Sequence, residues 1–318
     1  MVNLLMYKRR DPPGGAIAGE MAREDYMRLF KVFLLYKKLR HSFRRLVLGK
    51  KTLHFQNYSY GVEALPKKLE KVIWIYWDKP IEDAPPFVKF AIASWSSKNP
   101  EWQVNVLSDD TLSNFIDIDE PGGARKIQSK SDVIRLALLE QYGGVWVDAT
   151  CCCVKPLDQW LLPLMQSGFF AFPEAYPGKI IVHSWFLASA RGNYLVGKWS
   201  ALARHYYMNS GKLGDYFWVM HLFEYIVRSD KQAAAIWNFT PKLSGKGPAL
   251  LKRIISQPDY AVTLPETVDE SAIPVLKISS SNKFNDQDSL GALESREDIP
   301  LRRLASIKAE AKSTDTVS

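Results

Sequence analysis

Three of the charged residues between positions 131 and 150 are of types that bind polar or charged ligands. Asp132 and Arg135 are three residues apart, and Asp148 follows a glycine pair and a short apolar run. A carboxylate accepts hydrogen bonds from hydroxyl groups, and a guanidinium pairs with anionic oxygens. The segment therefore predicts a ligand-binding site built from these three side chains.

The elements that would position these side chains are a helix and a strand. Helical spacing places Asp132 and Arg135 on a shared face. Gly143–Gly144 ends that helix, because glycine accepts the left-handed conformation after a last turn. Val145–Val147 is β-branched or aromatic and predicts a short buried strand. Asp148 then closes the strand, where ligands of α/β proteins usually bind.

Upstream segments repeat the alternation of strand and helix. Lys71–Trp77 predicts an apolar aromatic strand, residues 87–95 a helix with one apolar side, and Trp102–Leu107 a second strand. Phe169–Phe172 and Trp185–Ala188 predict further strands, and helices are expected at 194–208, 214–227 and 249–255. Strands that end in polar residues and alternate with helices are typical of a nucleotide-binding α/β layer.

Composition limits the class of protein. A chain of 318 residues that is 47% hydrophobic buries a full core, and a net charge of +8 favours an anionic partner such as nucleotide phosphate or lipid. Nucleic acid is disfavoured, because the basic residues concentrate near the N-terminus and no nucleic-acid module is recognised. The adjacent Cys151–Cys153 favour a reducing compartment and make poor zinc ligands. A cytoplasmic location is expected.

Three regions are expected along the chain. Residues 1–65 form a flexible leader and a basic amphipathic helix near 20–51, residues 66–285 the folded domain, and residues 286–318 a polar tail. Two alternatives stand for the helix. It lies peripherally on the cytoplasmic face of an anionic membrane, or it packs on its own protein with a solvated basic face.

The order of these motifs resembles that of the capsular polysaccharide synthesis proteins and the DXD-containing family 32 sugar transferases. The resemblance covers roughly residues 66–285 and rests on Trp77, Ser131–Asp132, Arg135, Gly143–Gly144 and Val147–Asp148. It implies an α/β fold: a GT-A-like single domain that binds a nucleotide sugar, with a mixed, mainly parallel sheet and an N-terminal helical extension.

The resemblance also implies roles for individual residues. Trp77 would stack on the nucleotide base, Asp132 would touch sugar or ribose hydroxyls, and Arg135 would supply a cation near the donor, with Trp146 beside them. Asp148 would be the first aspartate of the DXD motif and meet ribose or a divalent cation, Mn²⁺ or Mg²⁺. Thr150 replaces the second aspartate, and it offers the metal one neutral oxygen.

Candidates for acceptor or phosphate contacts match the family more loosely. They are His183, Asp215, His221, Lys246 and Gly247. A lone histidine is more often a structural group, and a Gly-Pro loop is often a plain turn. Asp215 and His221 are expected on one helix, six residues apart and not sharing a face closely.

The resulting hypothesis is a glycosyltransferase that moves a sugar from a nucleotide-sugar donor to a saccharide or lipid-linked acceptor. The resemblance implies surface polysaccharide synthesis of the capsular or lipopolysaccharide type, with retention of anomeric configuration. The alternative is a catalytically silent subunit that binds a nucleotide sugar or glycan, suggested by the missing second carboxylate.

Overall fold

The computed structural model describes residues 23–47, 68–121, 125–173, 180–211, 213, 215–249 and 273–277. The predicted flexible leader, most of the helix predicted at 249–255 and the polar tail at 286–318 lie outside these ranges.

A five-stranded mixed sheet forms the centre of the molecule, with strand order β2-β1-β3-β6-β5. β1 pairs in parallel with both β2 and β3, whereas β6 runs antiparallel to β3 and to β5. Four strands therefore point the same way, and the predicted mixed, mainly parallel sheet is confirmed. The bounds are Val72–Tyr76 for β1, Gln103–Leu107 for β2, Gly144–Val147 for β3, Phe169–Pro173 for β5 and Val182–Ser189 for β6.

Apolar side chains project from both faces of this sheet, and helices cover both faces. In β1, Ile73 and Ile75 enter one buried cluster, while Trp74 enters the other. This alternation follows from the two-residue period of a strand. Three helices lie on the Trp74 face: α4 (Ile127–Tyr142), α6 (Tyr194–Asn209) and α7 (Trp218–Ser229). Helix α2 (Pro86–Lys98) lies on the opposite face.

The helices agree with the predicted positions but differ at their ends. The predicted helix at 214–227 begins later, and α8 was not predicted. The bounds are Arg23–Val47 for α1, Pro86–Lys98 for α2, Asp109–Leu112 for α3, Ile127–Tyr142 for α4, Leu157–Trp160 for α5, Tyr194–Asn209 for α6, Trp218–Ser229 for α7 and Lys231–Phe239 for α8.

A second, two-stranded sheet lies beside the first. It pairs β4, Cys151–Cys153, antiparallel with β7, Val275–Lys277, and Cys151 stands opposite Lys277. The three cysteines are buried, and none of them forms a disulfide bond. This ribbon brings a segment from far along the chain next to the residues that follow β3.

The glycine pair between α4 and β3 is required by its backbone. Gly143 and Gly144 have φ values of 70° and 89°, which a residue with a side chain adopts only with strain. A Cβ on Gly144 would lie 2.5 Å from the carbonyl oxygen of Val72, and one on Gly143 2.7 Å from the backbone nitrogen of Arg191. The turn from α4 into β3 is thus possible only with glycine.

Helix α1 has two apolar faces on opposite sides. One face packs on the domain through Tyr26, Met27 and Phe30, which are buried. Lys37 on this face forms an ion pair with the buried Glu224 of α7. The predicted packing alternative therefore holds for this face. The opposite face exposes apolar side chains, Leu29, Val32, Leu35, Tyr36 and Leu39. Among the described helices, none is both long enough and apolar enough to cross a bilayer.

Candidate functional site

Asp148 lies directly after β3, at the carboxyl end of the parallel strands. Its backbone N–H donates to the carbonyl of Trp185 at 2.9 Å, and its own carbonyl accepts from the N–H of Cys151 at 2.9 Å. The side chain keeps 26% of its surface exposed. A strand end therefore presents this carboxylate to solvent in a fixed position, as the sequence predicts.

Both oxygens of the Asp148 carboxylate have partners in the protein. Oδ1 accepts from Trp146 Nε1 at 3.1 Å and lies 3.5 Å from a guanidinium nitrogen of Arg135. Oδ2 accepts from Lys277 Nζ at 3.0 Å. Burial acts to raise the pKa of Asp148, but Lys277 and Arg135 outweigh it and hold that pKa below its usual value. The group is an anion between two cations.

Arg135 is buried in α4 and fully engaged by protein oxygens. Its Nε donates to the carbonyl of Ser131 at 3.1 Å, and one terminal nitrogen to the Ser131 hydroxyl at 3.0 Å. The other terminal nitrogen donates to the carbonyl of Ser184 at 2.9 Å and to its hydroxyl at 2.6 Å. The guanidinium lies 5.2 Å from the centre of the Trp146 ring. This arrangement fixes the orientation of Arg135.

Asp132 forms an ion pair with Arg135, with 3.2 Å between Oδ1 and the guanidinium. It precedes Arg135 by one helical turn, so both side chains share the face of α4 that meets β3 and β6. Burial raises the pKa of Asp132 to about 7, Arg135 opposes the shift, and the charge of Asp148 adds to it. Asp132, Arg135 and Asp148 therefore form one linked set of charges.

Lys277 belongs to this set and was not predicted to be a site residue. Its Nζ donates to Asp148 Oδ2 and, at 2.6 Å, to the hydroxyl of Thr150. Burial acts to lower the pKa of Lys277, but the Asp148 carboxylate outweighs it and the pKa lies above its usual value. The sequence gives little indication of this contact, because Lys277 lies 129 residues from Asp148 along the chain.

The two tryptophans implied as donor contacts differ in position. Trp146 is fully buried in β3 under the guanidinium of Arg135. Trp77 follows β1 directly and is half-buried, at the same edge of the sheet as Asp148. Its indole N–H is shielded from solvent and has no hydrogen-bond partner within the part of the chain that the structure describes. Trp77 thus combines a position at this edge with an indole donor that no described residue uses.

The divalent cation implied by the resemblance does not fit the side chains at Asp148 and Thr150. A hard cation prefers several carboxylate, carbonyl or water oxygens. Here one carboxylate and one hydroxyl are present, and Lys277 binds both. Within the described ranges no group of three or more His, Cys, Asp or Glu side chains is arranged to hold a metal ion.

His183 and Gly247 lie near this set of charges, whereas Lys246 points to solvent. His183 is in β6, and burial, followed by the charge of Lys277, lowers its pKa to about 4. A Cβ on Gly247 would lie 3.2 Å from Ile273, just before β7. The loop after α8 also accepts a backbone hydrogen bond from Lys277, through the Pro248 carbonyl at 2.8 Å. This loop therefore helps to fix β7.

Asp215 and His221 are closer together than the sequence predicts. The expectation that both lie on one helix is wrong, because Asp215 precedes α7, which begins at Trp218. His221 Nε2 lies 3.7 Å from Asp215 Oδ2. His221 is buried, and burial lowers its pKa to about 4. Trp218 is the first residue of α7, so this pair lies at the N-terminal end of that helix.

Comparison with known proteins identifies a family. A family described as capsular polysaccharide synthesis protein matches residues 34–292. The matched region contains Asp132, Arg135, Asp148 and Lys277.

Several fungal proteins are related to the chain over part of its length. The protein named O-glycosyltransferase braB, of Annulohypoxylon truncatum, is 27% identical over 157 residues, which are 42% of this chain and 37% of the relative. The probable glycosyltransferase FCK3, of Fusarium pseudograminearum, is 31% identical over 159 residues, 44% of this chain and 40% of the relative. The matches thus span about two-fifths of the length of these curated relatives.

Solved structures of glycosyltransferases are similar at low identity. The PaToxG glycosyltransferase is 16% identical, with a TM-score of 0.38 over 83% of this chain and 92% of its own. The apo form of GlyE from Streptococcus pneumoniae is 11% identical, with a TM-score of 0.44 over 77% of this chain and 64% of its own.

Proposed function

The chain belongs to the capsular polysaccharide synthesis protein family, and from that membership we propose that it is a glycosyltransferase. It transfers a sugar from a nucleotide-sugar donor to a hydroxyl group of a saccharide or lipid-linked acceptor. The names of the fungal relatives, which include O-glycosyltransferase, favour oxygen as the acceptor atom. The family description favours surface polysaccharide assembly, of the capsular or lipopolysaccharide type, as the setting.

One observation carries the proposal. The partly exposed Asp148 carboxylate lies at a strand end between Arg135 and Lys277. Arg135 also forms an ion pair with the buried Asp132. A fixed carboxylate accepts hydrogen bonds from sugar or ribose hydroxyls, and a neighbouring cation stabilises a leaving diphosphate. A carboxylate between two cations therefore suits a nucleotide-sugar donor, which carries both hydroxyl groups and a diphosphate.

Other residues at this edge have roles that follow from their positions. Trp77 is half-buried at this edge, and its ring is suited to stack on the nucleotide base. Asp132 is suited to bind a hydroxyl, whereas Arg135, saturated by Ser131 and Ser184, orients Asp132 and Asp148. His183, Gly247, Lys246, Asp215 and His221 remain candidates for the acceptor side.

We infer retention of anomeric configuration from the family resemblance. In a same-face mechanism the departing diphosphate helps to deprotonate the acceptor, so that no covalent nucleophile is needed. Holding donor and acceptor in place and neutralising charge then supply most of the rate.

A second candidate function is a silent subunit that binds a nucleotide sugar without turning it over. The observation that favours it is Thr150, which stands where the family motif carries a second aspartate. The two functions differ in one measurable property, since only an enzyme releases nucleoside diphosphate from the donor.

The test is a panel of UDP-sugars and GDP-sugars, screened first for thermal stabilisation and then for nucleoside diphosphate release with and without acceptor glycans. A ligand at about 100 times its dissociation constant stabilises the fold by about 2.7 kcal/mol. Stabilisation with release supports the transferase, and stabilisation without release supports the silent subunit. If no nucleotide sugar raises the melting temperature, the proposal fails.

The exposed face of α1 suits a peripheral contact with an anionic membrane. Its apolar side chains project away from the domain, and the basic Arg28, Lys31 and Lys38 flank them. Basic groups at the headgroups with apolar groups below them are typical of interfacial helices. A lipid-linked acceptor would be found at such a surface.

A further inference from the structure

Lys277 stands between the two residues that the family motif would use to hold a metal. Its Nζ is 3.0 Å from Asp148 Oδ2 and 2.6 Å from Thr150 Oγ1. An ammonium ion therefore already lies between the two side chains that the DXD motif predicts as metal ligands.

The oxygens around this position already accept hydrogen bonds, so few of them are available to bind a divalent ion. Asp148 Oδ1 is bound by Trp146, Oδ2 is bound by Lys277, and the Thr150 hydroxyl accepts from the same ammonium. A metal would have to displace Lys277, and it would gain one carboxylate and one neutral oxygen. In the absence of a donor the exchange is unfavourable, because the protein alone offers a hard cation only these two oxygens, and such a cation needs several.

The pairing of β7 with β4 holds Lys277 close to Asp148 and leaves part of the lysine side chain exposed to solvent. Strand β7 pairs with β4 so that Lys277 stands opposite Cys151, three residues after Asp148. Its backbone N–H is fixed to the Pro248 carbonyl at 2.8 Å. The side chain keeps 22% of its surface exposed. Arg135, the other cation of the set, is 6% exposed and saturated by protein oxygens.

We propose that Lys277 takes the place of the divalent cation and binds the diphosphate of the donor directly. The inference rests on the proposed glycosyltransferase function and deepens it, because it names the group that receives the leaving nucleoside diphosphate. A lysine ammonium is a compact charge with three donors. Asp148 and Thr150 accept from two of them, which leaves one to reach a phosphate oxygen.

The reaction balances without a metal. The bond between the anomeric carbon and the diphosphate oxygen breaks, and its electron pair stays on that oxygen. The acceptor hydroxyl oxygen forms the new bond to the anomeric carbon, and its proton passes to the leaving diphosphate or to solvent. Lys277 stays protonated throughout. It stabilises the negative charge that grows on the diphosphate, which is where a fixed cation contributes most.

Binding experiments test this inference without turnover. Calorimetry with UDP and with GDP, on metal-depleted protein in EDTA, should show binding by the unmodified protein and a roughly tenfold or greater loss in Lys277→Met. Lys277→Arg, which retains a cation, should keep most of the affinity. Lys89→Met, on the exposed surface of α2, is the matched control and should bind normally.

Titration of Mn²⁺ followed by electron paramagnetic resonance gives a second readout. The unmodified protein should not take up Mn²⁺ at the site, whereas Lys277→Met frees Asp148 Oδ2 and should bind the ion more tightly. Mn²⁺ binding by the unmodified protein that is weakened by Asp148→Asn would overturn the inference.

Turnover separates this inference from the proposed function. Nucleoside diphosphate release that survives EDTA and falls about 100-fold in Lys277→Met supports both. Release that is abolished by EDTA and restored by Mn²⁺ overturns the role of Lys277 and leaves the transferase intact. If neither nucleoside diphosphates nor nucleotide sugars bind under either condition, both proposals fall.

Discussion

Trp146 and Asp148 stand two residues apart on the same side of the chain, and the indole N–H of the first donates to the carboxylate of the second at 3.1 Å. The same indole ring lies 5.2 Å from the guanidinium of Arg135. Trp146 thus contacts both an anion and a cation while it is itself fully buried. A core side chain sets the position of the charges at the edge of the sheet.

Asp148→Asn should abolish most of the activity and lower the stability, but it should leave the secondary structure intact. Asparagine keeps the shape, but it removes the negative charge that Arg135 and Lys277 share. Loss of one preorganised charge typically lowers kcat by about 100-fold or more. Steady-state turnover and circular dichroism measure the two effects. Full activity in Asp148→Asn would contradict the assignment of this residue.

Arg135→Lys should destabilise the fold as well as impair activity. Lysine keeps the charge that pairs with Asp132, but it cannot reproduce the forked contacts to Ser131 and Ser184. A buried polar group that loses its hydrogen-bond partner costs about 1 to 3 kcal/mol. Urea denaturation measures the free energy of unfolding. Ser184→Ala, which removes one hydroxyl, is the milder comparison at about 1 kcal/mol, and an Arg135→Lys protein as stable as the original would refute the argument.

Gly144→Ala should be far more costly than Gly192→Ala. Both glycines have positive φ, 89° and 70°. A Cβ at Gly144 would lie 2.5 Å from the Val72 carbonyl oxygen, whereas one at Gly192 meets no atom within 4 Å. The second variant should lose about 1 kcal/mol from backbone strain alone, and the first at least twice that. Equal losses in thermal or chemical unfolding would show that the close approach to Val72 is unimportant.

His221 should make the protein less stable at acidic pH. Burial lowers its pKa to about 4, against about 6.5 in an unfolded chain. The unfolded state therefore binds the proton first, and stability is lost as the pH falls from about 6.5 to about 4. The full contribution is about 3 kcal/mol. His221→Gln should show a shallower loss over this range than the unmodified protein, with His205→Gln on α6 as control. Identical pH profiles for all three proteins would exclude this role.

The outer face of α1 should bind anionic vesicles. Arg28→Gln combined with Lys31→Gln removes about 2 kcal/mol of attraction, or roughly 30-fold in partitioning. Leu35→Gln with Leu39→Gln should also weaken binding, since both side chains are exposed. Co-sedimentation with anionic and neutral vesicles at low and high salt measures this, with Leu162→Gln as an exposed apolar control. The membrane contact is excluded if none of these changes alters sedimentation.

Local patterns predicted the central sheet and its main helices, because alternation in strands and the Gly143–Gly144 turn depend on neighbouring residues. They also predicted Asp132, Arg135 and Asp148 as one group, since a helix, a tight turn and a strand join them. Lys277 was missed because its contact depends on the pairing of β4 with β7, which no periodicity reveals. The Asp215–His221 contact was missed because the start of α7 was placed too early.

Because Lys277 lies in β7, the ribosome synthesises it after the other charged residues of the site. A nascent chain that has left the ribosome only as far as residue 249 contains every strand of the large sheet, together with Asp132, Arg135 and Asp148. It lacks the strand that pairs with Cys151–Cys153 and delivers the ammonium. The negative charge of Asp148 would then be balanced by Arg135 alone. Such a chain can build its core early, but it acquires its complete charge arrangement only when residues 273–277 emerge and dock.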